Sequence, residues 1–89
     1  MKVRASHILV ESEQEALTLM EGIKTGEDFA RLASGHSKCP SGQRGGDLGE
    51  FGRGQMVKPF EDATFGMNVG DLSGPVQTQF GYHLILRTA

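Results

Sequence analysis

The chain predicts an α+β fold in which helices pack against an antiparallel sheet. Three observations lead there. Aliphatic and β-branched runs stand near both ends of the chain, VRASHILV at Val3 to Val10 and YHLILR at Tyr82 to Arg87. Between them, apolar residues recur at helical spacing behind capping signals. The last two strand candidates are separated only by Thr78 to Gly81, with the turn at Gln79-Phe80-Gly81, too short a link for a parallel crossover.

Each element follows from its local pattern. In the first strand Val3, Ala5, His7 and Leu9 share one face, and Arg4, Ser6, Ile8 and Val10 the other. Apolar groups on both faces mark an interior strand covered on two sides. Ser12 with Glu15 three residues on has the form of a capping box, and Ala16, Leu17, Met20 and Ile23 follow at helical spacing until Gly26. The expected helix therefore runs from Glu13 to Thr25. A second, short helix carries Phe29, Leu32 and Ala33 on one face and ends near Gly35.

From His36 to Gly54 no period is sustained; this stretch has room for one short helical turn and a strand around Asp47 to Phe51. Pro59 suits the first turn of a helix whose face holds Phe60, Ala63, Thr64 and Met67, before a turn at Asn68-Val69-Gly70-Asp71. Leu72 to Gln77 contains Gly74-Pro75 and reads as an edge strand or a broken one, because proline removes a ladder donor. In the last strand His83 and Ile85 share a face opposite Tyr82, Leu84 and Leu86. The order is strand, two or three helices, strand, helix, two strands.

Eighty-nine residues suit one domain, residues 1–89, in which about 60–65% of the unfolded surface becomes buried. The net charge of −2, with acids and bases interspersed, lacks the basic footprint of a nucleic-acid binder or a reader of anionic lipid. No apolar run approaches the roughly 18 residues of a membrane span, and MKVRASHILV reads as a strand, not a signal peptide. A single cysteine, Cys39, is expected to be a free thiol in a reducing setting. The expectation is a cytoplasmic monomer with neither nucleic acid nor membrane as partner.

The most unusual stretch is Cys39 to Phe60, CPSGQRGGDLGEFGRGQMVKPF, in which six of 22 residues are glycine. Leu48, Phe51, Met56, Val57 and Phe60 interrupt the glycines at spacings that fit neither a helix face nor a strand face. Large apolar residues on irregular backbone either plug the underside of a domain or line a recess for a ligand.

His7 and His83 each sit in an aliphatic strand. If those strands are central neighbours, the imidazoles face each other on one pleated surface. Three functional readings compete. Cys39 could be a nucleophile activated by a histidine, although no nucleophile elbow surrounds it. His7, His83, Cys39 and Asp47 could hold a metal, although none has the short pairwise spacing of most zinc sites. In the third reading the apolar residues are the site: Leu48, Met56, Phe60 and Phe80 have the size and flexibility to enclose one small aliphatic or ring side chain. Neither a P-loop nor a G-x-G-x-x-G phosphate motif is present.

The ordered segments SHILV, FARLA with Ser37 following, CPSGQRGGDLGEF, GRGQMVKPFEDA and GPVQTQFGYHLI resemble the parvulin family of peptidyl-prolyl cis/trans isomerases across essentially the whole chain. That resemblance implies a parvulin-type, FKBP-like roll of four antiparallel strands with about four helices. It implies an isomerase acting on proline-containing peptides and folding protein segments, with no cofactor and no metal. Carried over residue by residue, it makes His7 and His83 the paired histidines, Cys39 the loop thiol, and Asp47 a further site residue just before Leu48. Thr78 becomes the hydroxyl near the second histidine. Leu48, Met56 and Phe60 would form the proline-ring pocket, Gln79 would turn its backbone amide to the substrate, and Phe80 would add a wall. Family members that demand a phosphorylated residue before proline carry a basic cluster after the first strand. Here that loop reads Glu11, Ser12, Glu13, Gln14, Glu15, and its carboxylates would repel a dianion. An apolar residue before proline is the expected preference, with Arg44, Arg53 and Lys58 near enough to leave room for some tolerance of acidic residues there.

Overall fold

The computed structural model describes all residues, 1–89. Its elements are β1 (Lys2–Val10), α1 (Glu13–Glu21), α2 (Gly26–His36), a 3-10 turn (Pro40–Arg44), β2 (Asp47–Gly52), α3 (Lys58–Phe65), β3 (Val76–Thr78) and β4 (Gly81–Arg87). The strands form one antiparallel sheet in the order β2-β1-β4-β3. The first and last strands are thus central neighbours, and each is laddered on both edges.

The two-sided apolar pattern of β1 has its reason in two cores, one on each face of the sheet. Ile8 and Val10 pack with Leu84 of β4 against Ala16 and Leu19 of α1 and Phe29 and Ala33 of α2. On the opposite face, Val3 and Ala5 pack with Phe51, Ile85 and Phe60 of α3. Burial of a side chain such as Phe29 or Ile8 contributes about 1.5–3 kcal/mol, so the period of two along β1 fastens helices to both sides of one strand.

Two boundaries differ from the sequence expectation. α1 ends at Glu21, where the Gly22 N–H bonds back to Leu19 and Met20 carbonyls, and does not reach Thr25. Gly26 does not stop a helix; it opens the next one. Thr25 is the N-cap of α2: its hydroxyl accepts from the Asp28 N–H, while the Asp28 carboxylate accepts from the Thr25 N–H. This is a capping box with aspartate in place of the usual glutamate or glutamine, which is why T-x-x-D is easily overlooked. The third helix, α3, starts with Pro59 in its first turn and ends before Met67. The broken strand resolves into an isolated bridge, Leu72 to Leu86, followed by the three-residue β3; Gly74-Pro75 falls in the gap.

The ladder between β1 and β2 contains a bulge. Arg4 faces Glu50 and Ser6 faces Asp47, so β2 carries one extra residue in that interval, with Gly49 at φ +73°. The 3-10 turn packs under α2 and delivers the chain to β2 through Gly46. Its carbonyl accepts from the His7 N–H at 2.9 Å, at φ +86°, and a Cβ there would collide with the His7 carbonyl. Only glycine meets both conditions. Gly46→Ala is accordingly expected to lower unfolding stability by about 1–3 kcal/mol, read from urea titration; an unchanged midpoint would show the contact to be dispensable.

Candidate active site

Strand register decides where the two histidines meet. In the β1–β4 ladder His7 pairs with Ile85 and Leu9 with His83, so the imidazoles are diagonal neighbours on the face toward α3. Their ring centroids are 5.1 Å apart and their Nδ1 atoms 2.9 Å apart. Phe60 meets both rings edge-on, at centroid distances of 5.6 and 5.2 Å. Behind His83, Thr78 Oγ1 lies 2.7 Å from Nε2 and accepts from the Phe80 N–H at 3.1 Å. The chain of contacts therefore runs from the β3–β4 turn to His7, whose buried Nε2 has no hydrogen-bond partner.

Burial sets the charge state of this pair. Desolvation, and then repulsion from His83, push the His7 imidazole down to about 4; burial lowers His83 as well. Both rings are neutral at pH 7, and a single proton occupies the space between the Nδ1 atoms. Such a pair orients neighbours and offers hydrogen bonds, but it carries no charge to transfer.

Cys39 caps the 3-10 turn, and its half-buried Sγ accepts from the Ser41 hydroxyl at 3.3 Å. Its partner is a serine, not an imidazole, so the nucleophile reading lacks an activating base. The loop is stitched to the end of β1. Ser37 Oγ accepts from the Leu9 N–H at 3.0 Å and from the Cys39 N–H at 3.3 Å, while the Lys38 N–H donates to the Leu9 carbonyl at 2.8 Å.

These parts enclose an open cleft of about 460 Å³. His7, His83 and Phe60 form its floor. Leu48, Met56 and Val57 from β2 and the loop after it, and Leu9, Cys39 and Pro40 from β1 and the thiol loop, complete the lining together with Phe80. Phe60 is buried, yet Phe80 is 61% exposed, so the cleft has a solid base and an aromatic rim. The wall is mostly apolar and its size suits a small ring.

The structure brings together seven of the residues read as site candidates: His7, Cys39, Leu48, Met56, Phe60, Phe80 and His83. Thr78 stands behind His83 without lining the cleft, and Gln79 is exposed in the β3–β4 turn. Asp47 corrects an expectation. Opposite Ser6, it shares that residue's face of the sheet, away from His7, and forms a two-point ion pair with Arg4 at 2.6 and 3.1 Å. That bond, then the Gly49 N–H, holds its carboxyl below the usual carboxylate range. The bulge beside Gly49 turns Leu48 into the cleft and Asp47 out of it. The four-residue metal reading fails with it, and no group of three or more His, Cys, Asp or Glu is placed to hold a metal ion.

Sequence reasoning missed the supports. Ser37 fixes the thiol loop, and a polar residue two before Cys39 was the available signal. Glu61, buried in the first turn of α3, accepts from the Gly54 N–H and from Arg53 at 3.0 Å, anchoring the loop that carries Met56 and Val57. Phe51 is not a wall but core, beneath Phe60 at 6.1 Å.

A four-stranded sheet whose central strands set two neutral imidazoles under an apolar cleft defines a small α+β domain with one open apolar site. The family model for the PPIC-type PPIase domain, or rotamase, matches residues 5–89, and the chain belongs to this family of peptidyl-prolyl cis/trans isomerase domains, the parvulins. Foldase protein PrsA of Geobacillus sp. (strain WCH70) is 53% identical over 85 residues, covering 94% of this chain and 31% of that protein. The chain thus spans about a third of the length of the foldases it matches. The peptidyl-prolyl cis-trans isomerase pin1 of Rhizopus delemar is 46% identical over 110 residues, covering 99% of this chain and 73% of that one. The solution structure of NmPin, the parvulin of Nitrosopumilus maritimus, superposes with a TM-score of 0.87 at 48% identity, covering 99% of this chain and 96% of that one.

The neutral histidine pair ties stability to pH. Unfolded imidazoles take up protons near pH 6.5, whereas folded His7 does so only near pH 4. Stability is therefore full above about pH 6.5 and drains as pH falls toward 4, by roughly 3 kcal/mol from His7. Urea unfolding between pH 7 and 4.5 is expected to show the loss; a His7 imidazole that protonates near pH 6.5 in the folded state by NMR would refute it.

Proposed function

We propose that this chain accelerates cis/trans rotation about X–Pro bonds in peptides and in folding protein segments, without forming a covalent intermediate. The observation that carries this reading is the open apolar cleft between Met56, Leu48 and Phe60, set directly beside Cys39 and the neutral imidazoles. An X–Pro bond rotates against about 18–20 kcal/mol and exchanges unaided in tens to hundreds of seconds. Turnover of roughly 10–1000 per second requires lowering that barrier by about 4–7 kcal/mol. Holding the twisted amide better than either planar isomer supplies it.

The cleft fits that task. Rotation breaks amide resonance: the nitrogen becomes pyramidal and the carbonyl loses part of its negative charge. A dry wall for the pyrrolidine fixes one side of the bond and removes water that favours the polar, planar form. The other side swings past Cys39, whose thiol is positioned by Ser37 and Ser41. The histidines keep the floor level and Thr78 in place, and no step asks them to gain a proton.

The reading includes an apolar preference before proline and no need for phosphate. Support comes from the exposed Phe80 rim and from Glu11, Glu13 and Glu15 after β1. Of the nearby cations Arg44, Arg53 and Lys58, two are engaged elsewhere: Arg53 pairs with Glu61 and lies 4.5 Å over the Phe65 ring, and Lys58 pairs with Asp62. Every wall of the cleft comes from one chain, so a second copy is not needed to complete it. A reducing setting such as the cytoplasm belongs to this proposal, supported by the free thiol of Cys39.

NMR exchange spectroscopy on a short Leu-Pro peptide tests the reading, with binding but no acceleration pointing to a holding module instead. Met56→Ala is expected to reduce kcat/KM about 10- to 100-fold, the effect of losing 1.5–3 kcal/mol of ring burial. Phe60→Ala should match or exceed it, with unfolding monitored because Phe60 is also core. Cys39→Ser is expected to cost less than tenfold. Complete loss, together with an acylated thiol in the wild type by mass spectrometry, would establish covalent catalysis.

A further inference from the structure

Met56 and Val57 line the cleft from a loop that runs from the end of β2 at Gly52 to the N-cap of α3 at Val57. Gln55 closes the first turn of that loop, its Oε1 accepting from the Gly52 N–H at 2.6 Å. Glu61 holds the remainder from both sides of Met56. Its backbone N–H donates to the Val57 carbonyl at 3.0 Å, one residue after Met56, and its Oε1 accepts from the Gly54 N–H, two residues before. Oε2 accepts from Arg53 at 3.0 Å. Two oxygens thus meet two donors, and a side chain left 8% exposed is given over to the loop. Arg53 has a second carboxylate within reach, Asp62 at 3.8 Å; the Gly54 N–H has no other acceptor. Phe60 precedes Glu61 in the same helical turn and forms the floor of the cleft, so this bracket refers the Met56 wall directly to that floor.

We propose that Glu61 is a positioning residue that sets the spacing between Met56 and Phe60, and through it the ring size the cleft accepts at the proline position. The inference rests on the isomerase reading and adds the group that fixes its selectivity. The bond that matters is the one to Gly54, because it acts on backbone two residues from Met56. Hydrogen bonds are directional and weaken steeply with poor geometry, so reach counts here more than charge. The ring is the part of the substrate that does not swing. Loosening its wall therefore removes contact in both planar isomers and in the twisted form alike, a loss that appears in KM and spares kcat. A wall that yields also admits a larger ring, whereas a fixed apolar pocket discriminates one methylene by roughly 10- to 200-fold.

The test uses matched peptides carrying proline or its six-membered homologue, pipecolate, after the same leucine, assayed by NMR exchange on the wild type, Glu61→Ala, Glu61→Asp and Glu61→Gln. Glutamine keeps an oxygen within reach of Gly54 and leaves Arg53 to Asp62, whereas aspartate keeps the charge and draws its oxygens back by one methylene. The ratio of kcat/KM for the proline over the pipecolate peptide is expected to fall about three- to tenfold in Glu61→Ala and Glu61→Asp. KM for the proline peptide should rise by a similar factor while kcat stays within about twofold. Glu61→Gln should keep at least about half of the wild-type ratio, and in a Met56→Ala background the aspartate variant should move it by less than about twofold. An unchanged ratio in Glu61→Asp overturns the proposal, as does the reverse order with Glu61→Gln the more harmful, which would make Glu61 a charge partner of Arg53 only. Should Glu61→Ala not fold, the aspartate and glutamine variants decide alone. If the wild type accelerates no peptide, the isomerase reading fails separately, and the same ratios are read from peptide dissociation constants by chemical-shift titration.

Discussion

Antiparallel pairing of the first and last strands is the constraint on which the rest of the molecule depends. Residues 76 positions apart become diagonal neighbours because Leu9 faces His83 and His7 faces Ile85. A slip of one residue would turn one of the two imidazoles toward α1 and α2 and dissolve the floor of the cleft. The register is secured on both faces at once, by Ile8 and Leu84 on one side and by Ala5 and Ile85 on the other. Core packing and site geometry are therefore the same commitment.

The cleft itself is built from loops, and loops need external anchors. Three polar devices serve that purpose. Gly46 brings the chain against the His7 backbone, Ser37 ties the thiol loop to Leu9, and buried Glu61 gathers the backbone that presents Met56 and Val57. Together they satisfy the backbone N–H groups of His7, Leu9, Cys39 and Gly54. The glycine excess between Cys39 and Phe60 is thus the cost of routing irregular chain tightly around two strands, more than a device for ligand approach. A floor of neutral imidazoles suits a reaction that moves no proton, since a charged pair in the same place would draw in the water the cleft must exclude.

Much of this was legible in the residues. Aliphatic alternation in β1 and β4 marked the central strands, the broken run before β3 followed from Pro75, and the apolar interruptions among the glycines pointed to Leu48, Met56 and Phe60. Less visible were features that rest on one polar atom: the Thr25–Asp28 capping box that splits the helical region at Gly22, and the buried partners of Glu61. Asp47 misled for a geometric reason, because its sequence position beside Leu48 says nothing about which of the two looks inward.

By itself the sequence determined residue chemistry and local periodicity: two strands able to be buried on both faces, a free thiol in a glycine-rich stretch, and the ordered segments that mark the family. Those properties are short-range, written within a few residues of each position. Only the tertiary structure decided that His7 meets His83, and that a bulge at Gly49 points Leu48 into the cleft and hands Asp47 to Arg4. Each depends on register between distant segments, and register is set by the joint packing of both faces of the sheet, which no local pattern contains.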